Sequence, residues 1–420
     1  VTVLEASSEY SRGTCSLPYF VSGEIAKRES LTGINLEALA EARIDLRLST
    51  PVAAIEPAQR KVVTAKGERL QYERLIVSTG SRPKSVPTVS GGPSHPRLWR
   101  LRTIADAQHI RESLVQVRPQ KVAVVGGGYL GLEMAEVLTQ RGCQVTIFHR
   151  QATLMRLSGP CQQNLLTHLA QHGVKVRLQC EVALVDVDCR QRTIEFLDPR
   201  EGRLSEGFDA VFLAPGIEPE ASLLAAAGAR LGRQGGVLVD SRGETSLAGV
   251  LAAGDGVELP ASRGEGGSRF IPLATTAARL GRVCGENAAG GCLRMPEALA
   301  SIAVRLFTLQ IAAVGHPADW SGADEITVDF GCDRSPFPRR RAGRATFLCQ
   351  PRGGRLLGAQ FVAPEACAMA DLVSLALSRD MTLNDLQDLD ANYTPTLSAL
   401  WHPFYLAARQ SQKALAGVRA

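Results

Sequence analysis

The chain has 420 residues, 45% of them hydrophobic and 40 of them glycine, with 47 basic against 42 acidic side chains for a formal net charge of +5. At about 150 residues per domain this length holds two to four compact units, and a charge so mild, without a long basic run, excludes a polycationic nucleic-acid binder while suiting anionic cofactors and substrates. Ten cysteines stand at 15, 143, 161, 180, 189, 284, 292, 332, 349 and 367, none in a Cys-X-X-Cys pair, which excludes a zinc ribbon, a thioredoxin motif and a secreted disulfide scaffold. The expectation is a cytoplasmic protein without metal: no stretch of about 18 apolar residues suggests a membrane span, and no leader precedes the first strand.

In chain order, Val1 to Glu5 reads as a strand closed by a carboxylate, as the second strand of a dinucleotide-binding unit is closed by the acid that binds ribose. A complete unit needs roughly 30 more residues ahead of it, with a first strand and a glycine loop, and these are expected to be absent from this chain. Next comes Ser11-Arg12-Gly13-Thr14-Cys15-Ser16-Leu17-Pro18-Tyr19, then a short helix at Leu36 to Ala42 and strands at Val52 to Ile55, Val62 to Thr64 and Leu75 to Ser78. The last of these runs into Thr79-Gly80. A connector rich in proline and glycine follows, Pro83 to Pro96.

Lys121 to Val125 is a β-branched run, Gly126 to Gly131 is glycine-rich, Tyr129 to Arg141 has helical periodicity and Gln144 to His149 is a second apolar strand. Gly126-Gly127-Gly128-Tyr129-Leu130-Gly131 therefore fits G-x-G-x-x-G between a strand and a helix, the context in which Gly126 makes the turn, Gly128 lets a pyrophosphate approach and Gly131 lets helix and strand pack. The second strand ends in Phe148-His149-Arg150 with Arg156 shortly after and no acid, which favours NADPH over NADH; the alternative is that these are ordinary exposed basic residues. Further strands are expected at Ala210 to Ala214, running into Pro215-Gly216, at Val237 to Val239 and at Val250 to Ala253, running into Gly254-Asp255. A helix over Ile271 to Gly285 is entered at Pro272. From about 299 the texture changes, with strands at Ile302 to Phe307 and Leu356 to Val362 and a helix at Ala368 to Leu377. Ser335 to Arg341, SPFPRRR, reads either as a phosphate-binding patch or as a solvated loop.

Taken in order, these segments resemble the two-dinucleotide flavoprotein disulfide reductases, and Ser11 to Tyr19 resembles the Ser-x-x-x-Cys-x-Leu-Pro-Tyr segment of their single-cysteine branch, the coenzyme A disulfide reductases. The resemblance implies an α/β fold with two Rossmann-like domains and a C-terminal α+β dimerisation domain. The FAD domain would comprise 1–119 and 239–298, the NAD(P)H domain 120–238, and the dimerisation domain 299–420. It implies that Glu5, Thr79, Gly80, Gly254, Asp255 and Thr275 serve FAD, and that Gly126, Gly128, Tyr129, Gly131, Glu133, His149, Arg150 and Gly216 serve NADPH, or NADH, with Tyr129 also covering the flavin face.

Ser11 and Thr14 are then the substrate-side residues of the cysteine segment. Cys15 is the redox-active cysteine, and Tyr393 of a partner subunit in a homodimer is the proton donor. The two-cysteine relatives carry their second cysteine five residues after the first; here that residue is Phe20, so Cys15 must be oxidised as a mixed disulfide, a sulfenic acid or a persulfide. Coenzyme A disulfide is the implied small-molecule partner. Two departures stand out: Thr396 replaces a proline after Tyr393, and a second tyrosine of some members has no counterpart nearer than Phe347. His402-Pro403 reads as a loop histidine rather than a catalytic base. Open alternatives are an NADH oxidase or peroxidase, a buried structural role for Cys15, and a flavin-poor pseudo-enzyme or fragment.

Overall fold

The computed structural model describes residues 1–420 other than 11–12, 34, 87–88, 91–94, 158, 188–192, 262–266, 316–319, 321, 332–341, 352–353, 395–397, 399 and 418–420. Ser11 and the SPFPRRR run thus lie outside the described residues. The rest gathers into two compact units, one of Val1–Arg150, Arg177–Ala261 and Gly267–Pro296, the other of Gln151–Val176 and Glu297–Ala420.

In the first unit the apolar run Lys121–Val125 becomes a central strand, parallel both to Gln144–His149 and to Ala210–Leu213, which pairs in turn with Leu98–Trp99. Val122, Ala123 and Val124 are fully buried, as expected of a parallel sheet covered on both faces. Helix Tyr129–Gln140 buries Leu132, Met134, Ala135, Val137 and Leu138 against it. Two shorter parallel pairs complete the α/β part: Thr2–Leu4 beside Asp45–Arg47, and Leu75–Val77 beside Val250–Ala252. Leu36–Glu41 is helical as expected, its start capped by the Asn35 side chain, which accepts from the Ala38 N–H at 2.7 Å.

Several elements of this unit depart from the sequence expectations. Helix Ile104–Val117 is announced by a capping box in which the Thr103 Oγ1 accepts from the Asp106 N–H at 3.0 Å and Asp106 returns a bond to the Thr103 N–H at 2.8 Å. Glu181–Asp186, Thr193–Asp198 and Gly202–Gly207 form an antiparallel sheet. The helix expected from Ile271 starts three residues later, at Ala274, and runs to Ala288, because its N-cap Leu273 stays extended.

The second unit is an antiparallel sheet in the order Ile302–Leu306, Leu309–Val314, Leu356–Ala363, Gly343–Cys349, Asp324–Phe330, with helices Ala366–Ser378 and Pro403–Gly417. Phe347, Phe361 and Phe404 are fully buried and meet edge to face, Phe347 lying 5.7 Å from Phe361 and 5.6 Å from Phe404. Phe347 is therefore a core residue, and the correspondence with an active-site tyrosine is corrected. Helix Gly159–Gln171 belongs to this unit: Cys161 is buried with its Sγ 3.5 Å from Thr346 Oγ1, and Arg344 donates to Pro160 O at 3.3 Å. Phe361→Ala should cost this unit about 3–5 kcal/mol, read as a lower urea midpoint; a change under 1 kcal/mol would mean that the aromatic trio does not form its core.

Candidate functional site

Steric necessity shapes the glycine loop Gly126 to Gly131. Gly126 has φ 112°, and a Cβ there would come 1.9 Å from Ala214 O; a Cβ at Gly131 would come 1.9 Å from Gly126 O. Nothing lies within 4 Å of a Cβ built on Gly128, which is the N-cap of helix Tyr129–Gln140 and makes no side-chain cap bond. Two glycines thus allow the chain to pack on itself, and the third leaves open space before a helix end whose N–H groups lack intrahelical partners, as a pyrophosphate site requires. The Gly127 N–H donates to His149 Nδ1 at 3.1 Å, so the ring carries its proton on Nε2 and ties the loop to the strand tip. Arg150 follows it, exposed. Tyr129 is exposed and Glu133, one turn on, is half-buried. Gly216 turns between Ala210–Leu213 and Ile217–Pro219, and the latter pairs with Ser81–Pro83.

That pairing brings the second candidate region together. Thr79 Oγ1 donates to Glu220 O at 2.5 Å, and a Cβ on Gly256 would come 3.0 Å from Gly80 O, so the turns after Leu75–Val77 and Val250–Ala252 abut. Gly254 and Asp255 sit at that junction. Burial raises the Asp255 carboxyl above its usual range, opposed by the charge of Arg102 and a hydrogen bond from Ser81. Ser81 and Arg102 carried no signal in the sequence, being far from Asp255 along the chain. Thr275 is exposed in the first turn of helix Ala274–Ala288, whose N-cap is Leu273, so no side chain caps the N–H groups of that turn. Glu5 follows Thr2–Leu4, and its Oε1 accepts from the Ser7 N–H and Oγ–H at 2.8 and 2.7 Å. The abutting glycine turns, the desolvated carboxyl and the uncapped helix end suit a flavin with its hydroxyl-bearing chain and carbonyl oxygens.

Cys15 is exposed in the turn Thr14–Ser16, beside exposed Thr14. The turn is pinned from behind, the Gly13 N–H donating to Leu31 O at 2.8 Å and the Ser16 N–H to Gly13 O at 2.9 Å. Helix Leu17–Ser22 buries Leu17, Pro18, Phe20 and Val21, so the thiol faces out while the residues after it anchor the segment. Buried thiols behave differently: burial pushes Cys180 and Cys284 up to about 11 and Cys349 up to about 12, and raises Cys143. Cys189 and Cys332 lie outside the described residues. Tyr393, in the second unit, is 51% exposed. Burial lowers the pKa of His402, whose Nδ1 accepts from the Phe404 N–H at 3.4 Å at the start of helix Pro403–Gly417, in keeping with a local structural role.

Residues 1–281 match the family described as pyridine nucleotide-disulphide oxidoreductase. The chain is 29% identical over 417 residues to the CoA-dependent NAD(P)H sulfur oxidoreductase of Pyrococcus abyssi, covering 97% of this chain and 92% of that one. It is 24% identical over 422 residues to the coenzyme A disulfide reductase of Staphylococcus haemolyticus, covering 96% and 90%. Among solved structures it is similar to an NAD-dependent persulfide reductase from A. fulgidus, with a TM-score of 0.90, 25% identity and coverage of 99% and 78%.

A thiol whose pKa is raised stays protonated, and unreactive, until the pH nears that value. At pH 7.5 iodoacetamide should therefore label Cys15, Cys292 and Cys367, which are exposed, well before Cys143, Cys180, Cys284 and Cys349. Peptide mass mapping reads the order, and early labelling of Cys349 would contradict it. Gly131→Ala should weaken NADPH binding about tenfold or more, as its Cβ would displace the loop; unchanged affinity would place the nucleotide elsewhere.

Proposed function

We propose that this chain, which belongs to the pyridine nucleotide-disulphide oxidoreductase family, reduces coenzyme A disulfide, or a related low-molecular-weight disulfide or persulfide, with NADPH through the single thiol of Cys15. The observation that carries the reading is the exposed Cys15 at the head of a helix whose position 20 is a buried phenylalanine. The names of the Pyrococcus and Staphylococcus relatives support it.

Bound FAD would supply the two-electron relay between nicotinamide and sulfur, held by Glu5, the turns at Thr79-Gly80 and Gly254-Asp255, and the helix end at Thr275. NADPH would lie on the loop Gly126 to Gly131 at the start of helix Tyr129–Gln140, its pyrophosphate over Gly128 and its 2′-phosphate toward His149 and Arg150; Gly216, Tyr129 and Glu133 would complete the site, Tyr129 and Glu133 on the flavin side. The Cys15 thiolate attacks one sulfur of the substrate, forming a Cys15–S–S–CoA bond and releasing one coenzyme A thiolate. Two electrons and two protons then return the mixed disulfide to the Cys15 thiol and a second coenzyme A thiol. Ser11 and Thr14 precede the attacking Cys15 in sequence and are proposed to hold the substrate.

The second step needs a proton at sulfur, for which we propose Tyr393 of a second copy. Leu372, Leu375, Leu389, Leu400 and Trp401 are exposed in the same unit as Tyr393, and such an apolar surface suits a homodimer built on residues 299–420. The division of labour within the first unit is proposed as 1–119 and 239–298 for FAD and 120–238 for NADPH. Among the described residues no helix is long and apolar enough to cross a membrane. None of the eight described cysteines is in a disulfide, which fits a reducing cytoplasm.

Cys15→Ser should lower NADPH-dependent release of thiol from coenzyme A disulfide at least roughly 100-fold while leaving the bound flavin spectrum intact. Retained thiol release would refute the reading, and Cys15-dependent consumption of oxygen or peroxide without thiol release would favour the oxidase alternative. NADPH should exceed NADH in kcat/KM by about tenfold, and Arg150→Asp should narrow that ratio.

A further inference from the structure

Helix Leu17–Ser22 begins two residues after Cys15 and stops after six residues, where Gly23 takes a left-handed φ of 92° and sends its N–H to Phe20 O at 3.2 Å. The last carbonyls of a helix have no donor within it. Two of them, Val21 O at 3.2 Å and Ser22 O at 2.8 Å, accept from one nitrogen, Nη2 of Arg141. A Cβ on residue 23 would stand 3.4 Å from that nitrogen, an ordinary contact, so it is the left-handed turn and not the guanidinium that calls for glycine here.

Arg141 is itself firmly rooted. It ends helix Tyr129–Gln140, with its N–H directed at Val137 O and Leu138 O at 3.1 and 3.2 Å. The opposite end of that helix, about 18 Å away at 1.5 Å per residue, is the glycine loop. On another side of the cysteine helix, Phe20 is buried and the Arg111 guanidinium of helix Ile104–Val117 lies 4.4 Å over its ring. Cations from two helices therefore grip the segment that carries Cys15, and one of those helices begins at the nucleotide loop.

We propose that Arg141 is the positioning residue for Cys15: by holding the far end of helix Leu17–Ser22 from the nucleotide-binding helix, it fixes the turn in which the thiol sits. This rests on the reading of Cys15 as the attacking thiol. A cation bonded to the C-terminal carbonyls of a helix is favourable both as a charge-assisted donor and against the helix dipole. Both bonds come from the single Nη2, so an ammonium keeps the charge and the donors, whereas a neutral amide lacks the charge. When the grip is lost, the C-terminal end of the six-residue helix is freed while its buried Leu17, Pro18, Phe20 and Val21 still hold it in place, so the segment stays folded but the turn that presents the thiol is held less firmly.

Two measurements on the flavin-loaded full chain decide it. In the first, Arg141→Gln should slow iodoacetamide labelling of Cys15 at least threefold while the exposed Cys292 and Cys367 label at wild-type rates, and Arg141→Lys should stay within twofold of wild type. An unchanged Cys15 rate in the glutamine variant, or equal slowing at all three cysteines, overturns the proposal. In the second, Arg141→Gln should lower kcat for coenzyme A disulfide about tenfold with the KM for NADPH within twofold; a raised KM with kcat intact overturns it, since the arginine would then serve the nucleotide. If the wild type releases no thiol from coenzyme A disulfide, the proposed reaction fails, and labelling alone still decides the role of Arg141.

Discussion

A thiol attacks sulfur only as its ion, and burial disfavours that ion, so a redox chain built on one cysteine must keep that cysteine in contact with solvent or donors while the rest of the protein folds around apolar residues. On the proposed reading of Cys15, the chain meets this constraint by separating the two demands along a few residues. Cys15 occupies a turn pinned by Gly13 to Leu31, and the burial that anchors the segment falls on Leu17, Pro18, Phe20 and Val21. Burial raises the thiols of Cys180, Cys284 and Cys349, which stay protonated at neutral pH. Phe20, where the two-cysteine relatives place a second thiol, instead supplies the buried ring under Arg111.

Close packing governs the nucleotide side in a comparable way. Gly126 and Gly131 are required because backbone oxygens stand where a Cβ would be, whereas Gly128 faces open space. The exposed helix start and the His149 bond to the Gly127 N–H then define the chemistry available there: backbone donors for a pyrophosphate, and an imidazole and a guanidinium where many relatives of the Rossmann type carry an acid. The turns at Gly80 and Gly256 use the same device of backbone on backbone near Asp255.

The glycine loop and its flanking strands were legible in the sequence because their determinants are local: β-branched residues, glycine spacing and helical periodicity within about 30 residues. The exposure of Cys15 was legible only through its neighbours, since apolar residues beginning at position 17 mark where burial starts. Contacts between distant segments were not legible. Helix Gly159–Gln171 follows strand Gln144–His149 along the chain yet buries Cys161 against Thr346, and no periodicity reveals which sheet a helix will join. Phe347 looked available for the site and lies in the aromatic core, again a matter of residues such as Phe404 that are distant along the chain. Gly202–Gly207 escaped notice because Leu204 is its one apolar residue and its strand character comes from pairing with Thr193–Asp198. The links from Arg102 and Ser81 to Asp255, and from Arg141 to Val21 and Ser22, are long-range polar contacts with no local signature.

The central claim is that electrons from NADPH reach a sulfur bond made by Cys15. Its most direct test is the mass of the Cys15 peptide from flavin-loaded protein treated with coenzyme A disulfide, before and after one equivalent of NADPH under anaerobic conditions. The account predicts a coenzyme A adduct on Cys15 that NADPH removes, with release of one coenzyme A thiol per chain. An adduct that persists after the flavin has been reduced, or one that maps to Cys292 or Cys367 and not to Cys15, would contradict it.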